Sequence, residues 1–196
     1  GHEIYYAWSE SLVSNDAIVT AQVVKISVDK SATTWFTKHH ESRESLCDFD
    51  AVLMRQDPPF SSEYLANTLL LSQAVRSGAK VFNAPNALRD HSEKIAILEF
   101  SELIAPTTIT REISVIREFH QLHKDIIIKP LDGMGGMGVF RVGIDGLNLG
   151  SIVETLGNNG TRALMVQKYI PEIKDGDNRI LIIDGEPIPY LLARIP

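Results

Sequence analysis

Between Asp125 and Val142 the chain reads DIIIKPLDGMGGMGVFRV. An apolar run rises to one lysine and a proline, passes through Gly133, Gly135, Gly136 and Gly138, and turns apolar again. Side chains are almost absent from the tip, so backbone alone is offered there. Glycines permit unusual dihedrals and close approach, and successive N–H groups form a concave anion site. Lys129, at the end of the first strand, places a point charge beside such a site.

Three readings of the loop compete. Gly133-x-Gly135-x-x-Gly138 satisfies a dinucleotide fingerprint, but that motif requires a helix directly after the glycines, and VFRV reads as a strand. A P-loop requires Gly-Lys-Ser or Gly-Lys-Thr at its end, and neither is present. What remains is a hairpin with a glycine tip, either an anion cradle or a bare surface turn.

The flanking chain supplies context. HEIYYAW reads as a strand. Asp16 to Val28 is rich in β-branched residues and predicts a strand or hairpin. The polar stretch from Lys30 to Asp48 shows no clean period and is expected to be loop plus a weak helix. FDAVLMR is a short strand that Asp57-Pro58-Pro59 ends. From Ser62 to Ser77 an apolar stripe of Leu65, Leu69, Ala74 and Val75, widened by Leu70 and Leu71, predicts a helix capped by Gly78. KVFNAP is a strand, and Asn86 to Glu102 carries near-helical spacing. This alternation suggests an α/β sheet domain.

Pro106 marks a boundary. PTTITR is strand-like, a helix spans 113–123, the two strands around the glycines follow, and a second helix runs near Leu149 to Leu156. RALMVQKYI is a strand. NRILIIDGEPIPYLLARI predicts a hairpin, because Asp184-Gly185 lies between apolar runs. The second half is therefore α+β with antiparallel pairs.

Composition excludes some functions. A net charge of -6 with scattered basic residues argues against binding nucleic acid, whose backbone is held mostly by clustered Lys and Arg. No apolar run approaches the roughly 20 residues of a membrane helix. Cys47 is the only cysteine, so no intrachain disulfide forms. That suits a reducing compartment, and cytoplasm is the expectation. The six histidines share no metal-ligand spacing, and His120 and His123 read as a helix surface. The chain starts within a strand and ends at LARIP out of an apolar run, so material is expected to be missing at both ends, including the first strand and helix.

Taken together, VLMRQDPPF, NAPNALRDHSEK, KPLDGMGG, IKDGDNR and DGEPIPYLLARIP resemble the ATP-grasp enzymes and, most closely, the bacterial glutathione synthetase family. The match runs in order from Phe49 onward. The resemblance implies a pre-ATP-grasp α/β domain over 1–92 and a partial ATP-grasp domain over 93–196. It implies that Lys94 and Lys129 contact nucleotide, and that Gly133, Met134, Gly135 and Gly136 fold over the phosphates. Gln167, Lys168, Tyr169 and Ile170 match the linker that reads adenine, and Asp177 matches a ribose-side residue. Arg179 and Arg194 match arginines at the reacting groups, while Arg55 and Asp57 fall on the peptide-binding side.

The implied reaction joins glycine to γ-glutamylcysteine through an acyl phosphate, with ATP as phosphoryl donor. The implied Mg²⁺ ligands lie downstream of this chain, so no metal ligand is assigned and residues 1–196 alone are expected to be inactive. A tetramer is implied by the resemblance. Another ATP-dependent carboxylate–amine ligase, a non-catalytic nucleotide-binding module and a tetramer-forming structural piece remain open at this point.

Overall fold

The structure, a computed structural model, describes residues 1–30, 33–57 and 59–195. Pro58, within the expected strand-ending triplet, and Pro196 lie outside the described residues, as do Ser31 and Ala32. The chain divides into two units, 1–99 with 132–135, and 100–131 with 136–196.

In the first unit, β1 (Ile4–Ala7) and β2 (Val13–Asn15) lie end to end along one edge of β3 (Ile18–Val28), and β4 (Phe36–Ser45) pairs with the other edge. All pairs are antiparallel. Where β1 and β2 leave a gap, the Ser11 hydroxyl accepts from Gln22 N at 3.0 Å, standing in for the missing strand. Val19, Ala21 and Val23 alternate inward along β3, as a half-buried strand requires. Val24 is buried as well, and a register shift against β4 follows it.

The stretch expected to be loop and weak helix is therefore a ten-residue strand. Its side chains are exposed or half-buried throughout, so no apolar period marks it. What selects the strand is the row of backbone donors and acceptors along β3, which must be paired.

β5 (Val52–Leu53), α1 (Ser62–Arg76) and β6 (Val81–Phe82) form a parallel β–α–β unit. The expected strand over 49–55 contracts to those two residues. Ser61 caps α1, its hydroxyl accepting from Tyr64 N at 3.2 Å, which satisfies one orphan donor of the first turn. The helix is as expected but its inward face is not. Tyr64, Thr68, Leu71 and Ala74 are buried, whereas Leu65, Leu69 and Val75 are exposed. Three consecutive leucines leave two faces about equally apolar, and Thr68 is tolerated inside because its hydroxyl donates to Leu65 O at 2.7 Å.

The helix expected over 86–102 breaks into α2 (Pro85–Asp90), a turn holding Lys94, and a 3₁₀ segment at Ala96–Leu103 kinked at Phe100. His91, at φ -110°, ψ 63°, stops α2.

The second unit is built on β7 (Thr107–Thr110), α3 (Ile113–His123), β8 (Ile126–Pro130), β9 (Phe140–Val142), α4 (Leu149–Leu156) and β10 (Leu164–Lys168). The strands form one antiparallel sheet in the order β7-β10-β8-β9. Its two faces divide by residue parity. Ile126 and Ile128, Leu164 and Val166, and Val142 pack against Ile116 of α3 and Leu149 and Val153 of α4. Ile127, Lys129 and Gln167 fall on the opposite face. A separate hairpin joins β11 (Asp177–Ile183) to β12 (Glu186–Arg194) through Asp184-Gly185, both at positive φ.

His120 is half-buried rather than a plain surface residue. Its Nε2 donates to Gly143 O at 2.7 Å and its ring covers Gly146. Met137 is exposed, so its bulk meets no obstacle at the loop tip. Among the described residues no helix is long and apolar enough to cross a membrane.

Parity gives a direct test. Ile128→Ala removes a fully buried side chain and is expected to destabilise the second unit by about 2–5 kcal/mol. Ile127→Ala, one position along on the other face, is expected to cost clearly less. Denaturant unfolding of the two variants checks the difference.

Candidate functional site

The face of the β7-β10-β8-β9 sheet away from its helices carries a cleft of about 480 Å³, within the range of small-molecule sites. Ile127 and Lys129 of β8 and Gln167 and Lys168 of β10 line it. Tyr169, Ile170 and Ile173 from the segment after β10, Val139 before β9, and Leu103 to Ala105 complete the wall. The structure thus gathers five residues expected at a nucleotide, namely Lys129, Gln167, Lys168, Tyr169 and Ile170. The β8–β10 register, with Met165 opposite Lys129 and Gln167 opposite Ile127, is what aligns them.

The lining is mostly aliphatic, with two lysines, Lys129 on β8 and Lys168 at the end of β10. That donor set suits a flat apolar base with an anionic tail. Gln167 is held in place, its Nε2 donating to Thr107 Oγ1 at 2.8 Å, and Thr107 Oγ1 donates in turn to Ala105 O at 2.7 Å. The segment after β10 is anchored through its backbone: Lys168 N donates to Pro106 O at 3.0 Å and Tyr169 N to Asp125 O at 2.9 Å.

The glycine tip does not open a helix. Residues 135–138 form a turn that leads into β9, as the hairpin reading expects. Gly135 and Gly136 sit at φ 59° and 80°, where a side chain is strained, and the space beside each is open. Lys94 Nζ donates to Gly133 O, so the first unit joins the expected nucleotide lysine to the start of the expected phosphate loop. The Lys94 side chain is only 14% exposed, which sets aside a solvated helix-face role.

Asp177, Arg179 and Arg194 share one face of the β11–β12 hairpin. Asp177 stands opposite Arg194; Arg194 Nε donates to Asp177 Oδ1 at 2.8 Å and its Nη2 to Oδ2. This fork holds the Asp177 carboxyl below its ordinary value, with Arg179 adding a weaker push in the same direction. The ion pair thus joins Asp177 to Arg194 rather than to its sequence neighbour Arg179. Gly176, at φ 102°, makes the fork possible, because a Cβ there would lie 2.3 Å from Arg194 O. Arg55 and Asp57 are exposed just past β5, and Gln56 between them is held by Asn67 Nδ2 at 3.1 Å. Among the described residues no three His, Cys, Asp or Glu side chains group to hold a metal ion.

Two charged residues that contact the cleft residue Tyr169 escaped the sequence reading. Arg141 Nε and Nη2 donate to the two carboxylate oxygens of Asp125 at 2.9 and 2.6 Å, and the guanidinium lies 3.9 Å from the Tyr169 ring centroid. The available signal was an Asp before one strand and an Arg within the next, diagonal partners once the hairpin register is known.

The Arg141 hydrogen bonds are the main reason the Asp125 carboxyl lies below its ordinary value of 3.8, with Arg141, His120 and Lys174 charges adding and desolvation opposing. The pairing therefore stabilises the folded state fully above that value and is lost as pH falls through the lower folded pKa. Below pH ~4, wild-type unfolding stability is expected to decline more steeply with acid than that of Asp125→Asn, as urea titrations at a series of pH values would show.

The family described as prokaryotic glutathione synthetase, N-terminal domain, matches residues 1–89, and that described as prokaryotic glutathione synthetase, ATP-grasp domain, matches residues 93–196. The glutathione synthetase of Ralstonia nicotianae is 50% identical over 196 residues, covering 100% of this chain and 60% of that protein. The glutathione synthetase of Pseudomonas aeruginosa is 45% identical over 196 residues, covering 100% and 62%. The chain thus spans about 60% of the length of the curated relatives it matches. Among solved structures, D-cycloserine synthetase DcsG superposes with a TM-score of 0.58 at 18% identity, over 77% of this chain and 61% of that one. At that identity the likeness is one of fold. The fold is mixed α/β, a pre-ATP-grasp domain followed by part of an ATP-grasp domain.

Proposed function

The chain belongs to the prokaryotic glutathione synthetase family, and from that premise we propose that the full-length protein joins glycine to γ-glutamylcysteine, with ATP as phosphoryl donor. The γ-phosphoryl group passes to the cysteinyl carboxylate, the glycine amine attacks the acyl phosphate, and phosphate leaves as the amide forms. Such chemistry asks the protein for position and charge rather than for covalent help.

The observation that carries the reading is the cleft, in which Lys129 and an anchored strand-end linker that begins with Lys168 meet an aliphatic floor. In this proposal the backbone of Gln167 to Ile170 meets the adenine edge and Ile127 packs on its face. Lys129 neutralises the phosphates at the strand end. Gly133, Met134, Gly135 and Gly136 close over the phosphate tail, and Lys94 steadies that loop and adds a second positive charge. Asp177 serves the ribose side and orients Arg194. Arg194 and Arg179 face the reacting carboxylate and phosphoryl oxygens, for which a planar fork suits better than an ammonium. Arg55 and Asp57 hold the dipeptide, at the carboxyl end of a parallel strand where open α/β sheets bind ligands.

Mg²⁺ accompanies ATP in this proposal and screens charge on the phosphates. Its ligands are not assigned to the residues described. The division into a substrate-side domain over 1–92 and an ATP-grasp domain over 93–196, a cytoplasmic location and a homotetramer belong to the same proposal.

Phosphate release by the full-length protein tests it. Release is expected to require γ-glutamylcysteine and glycine together, and release with a different acceptor or amine would assign another ligase activity. Lys129→Ala is expected to lower kcat/KM for ATP by about 10²-fold. Residues 1–196 alone are expected to form no glutathione, and chromatographic detection of the product from that fragment would overturn the expectation.

A further inference from the structure

Arg141 has no part in the roles set out above, yet it is fixed in two directions at once. Its fork on Asp125 sets the plane of the guanidinium, and the guanidinium carbon lies over the Tyr169 ring, 3.9 Å from its centroid. Asp125 closes the figure by accepting from Tyr169 N with its main-chain oxygen. One triangle therefore ties together the residue before β8, the middle of β9 and the residue after β10. Arginine suits this better than lysine, because a planar fork can pair and stack together.

The position of the triangle matters. Lys168, Tyr169 and Ile170 line the cleft, and so does Ile127, the cross-strand neighbour of Arg141. Backbone hydrogen bonds hold Lys168 and Tyr169 from the Pro106 and Asp125 sides. They fix where the linker lies, but they leave the Tyr169 side chain free to turn. The stack on Arg141 restrains that side chain, and with it the peptide planes on either side that face the cleft.

We propose that Arg141 is a positioning residue for the nucleotide base, holding Tyr169 so that the peptide edge of the 168–170 linker is presented to adenine in one orientation. This rests on the reading that the cleft holds the base of ATP. Arg141 itself touches neither the base nor the phosphates in this account. Its effect is on affinity and on the choice of base, and the phosphoryl-transfer step is left alone.

The test uses the full-length protein as wild type, Arg141→Gln, Arg141→Lys, Tyr169→Leu and the Arg141→Gln/Tyr169→Leu double variant. Dissociation constants for Mg-ATP and Mg-GTP are measured by calorimetry, alongside kcat at saturating ATP and melting temperature. Arg141→Gln is expected to weaken ATP about five- to tenfold and to narrow the preference for ATP over GTP, with kcat within about twofold of wild type. Tyr169→Leu is expected to weaken ATP and narrow the base preference in the same direction, and the double variant to bind little more weakly than either single one, as members of one contact behave. Arg141→Lys, which keeps the charge but not the plane, is expected to recover only part of the loss. A lowered melting temperature with unchanged ATP affinity and unchanged base preference would overturn the proposal, since the triangle would then be a structural staple. If Arg141→Gln does not fold, Arg141→Lys and Tyr169→Leu decide by the same criteria. A wild-type protein that binds no ATP overturns the reading of the cleft, and this inference falls with it.

Discussion

The second unit depends on one sheet that must satisfy two demands. Helices α3 and α4 need an apolar surface, and Ile126, Ile128, Leu164, Val166 and Val142 supply it from alternate positions. The intervening positions are released from packing on the helices. Lys129, Ile127 and Gln167 occupy them, so the same strands that seal the core also present the cleft. A one-residue slip of β8 against β10 would exchange the faces, burying the lysine ammonium against isoleucines at a high desolvation cost. Register and charge placement are therefore one constraint. Pairing of β10 with both β7 and β8 fixes it from two sides.

Polar groups near this face are held through a few short chains of hydrogen bonds. Gln167, Thr107 and Ala105 form one. Asp125, Arg141 and Tyr169 form another. The Asp177–Arg194 fork on the hairpin is a third arrangement of similar chemistry, made accessible by the absence of a side chain at Gly176. Exposed pairs of this kind contribute little to stability. Their value is geometric, because a forked guanidinium has a defined plane.

Much of the fold was legible beforehand, and the legible parts share a cause. The helices at 113–123 and 149–156, the strands at 126–130 and 164–168 and the Asp184-Gly185 hairpin each bury one face or carry a turn pair with its own backbone preference. Segments that bury little were misread. β4 hides no apolar face, so its ten residues looked like loop. The helix expected over 86–102 fails at His91 and Phe100, where backbone dihedrals override a spacing that still looked helical. In α1 the existence of the helix was plain, but three adjacent leucines made its inward side undecidable without the sheet it packs on.

By itself the sequence determined which residue types are offered to the proposed nucleotide: a lysine ending an apolar strand, a tip of glycines, and a strand-end linker beside a glutamine. It also determined the family, because five short motifs in a fixed order are far more specific than any one of them. Tertiary structure alone decided which of these groups share a wall. Strand register put Lys129 and Gln167 on one face, hairpin pairing put Asp177 opposite Arg194, and an arginine with no motif of its own came to lie on Tyr169. Those outcomes depend on pairing between segments far apart in the chain, and local spacing carries no information about which strand will lie beside which.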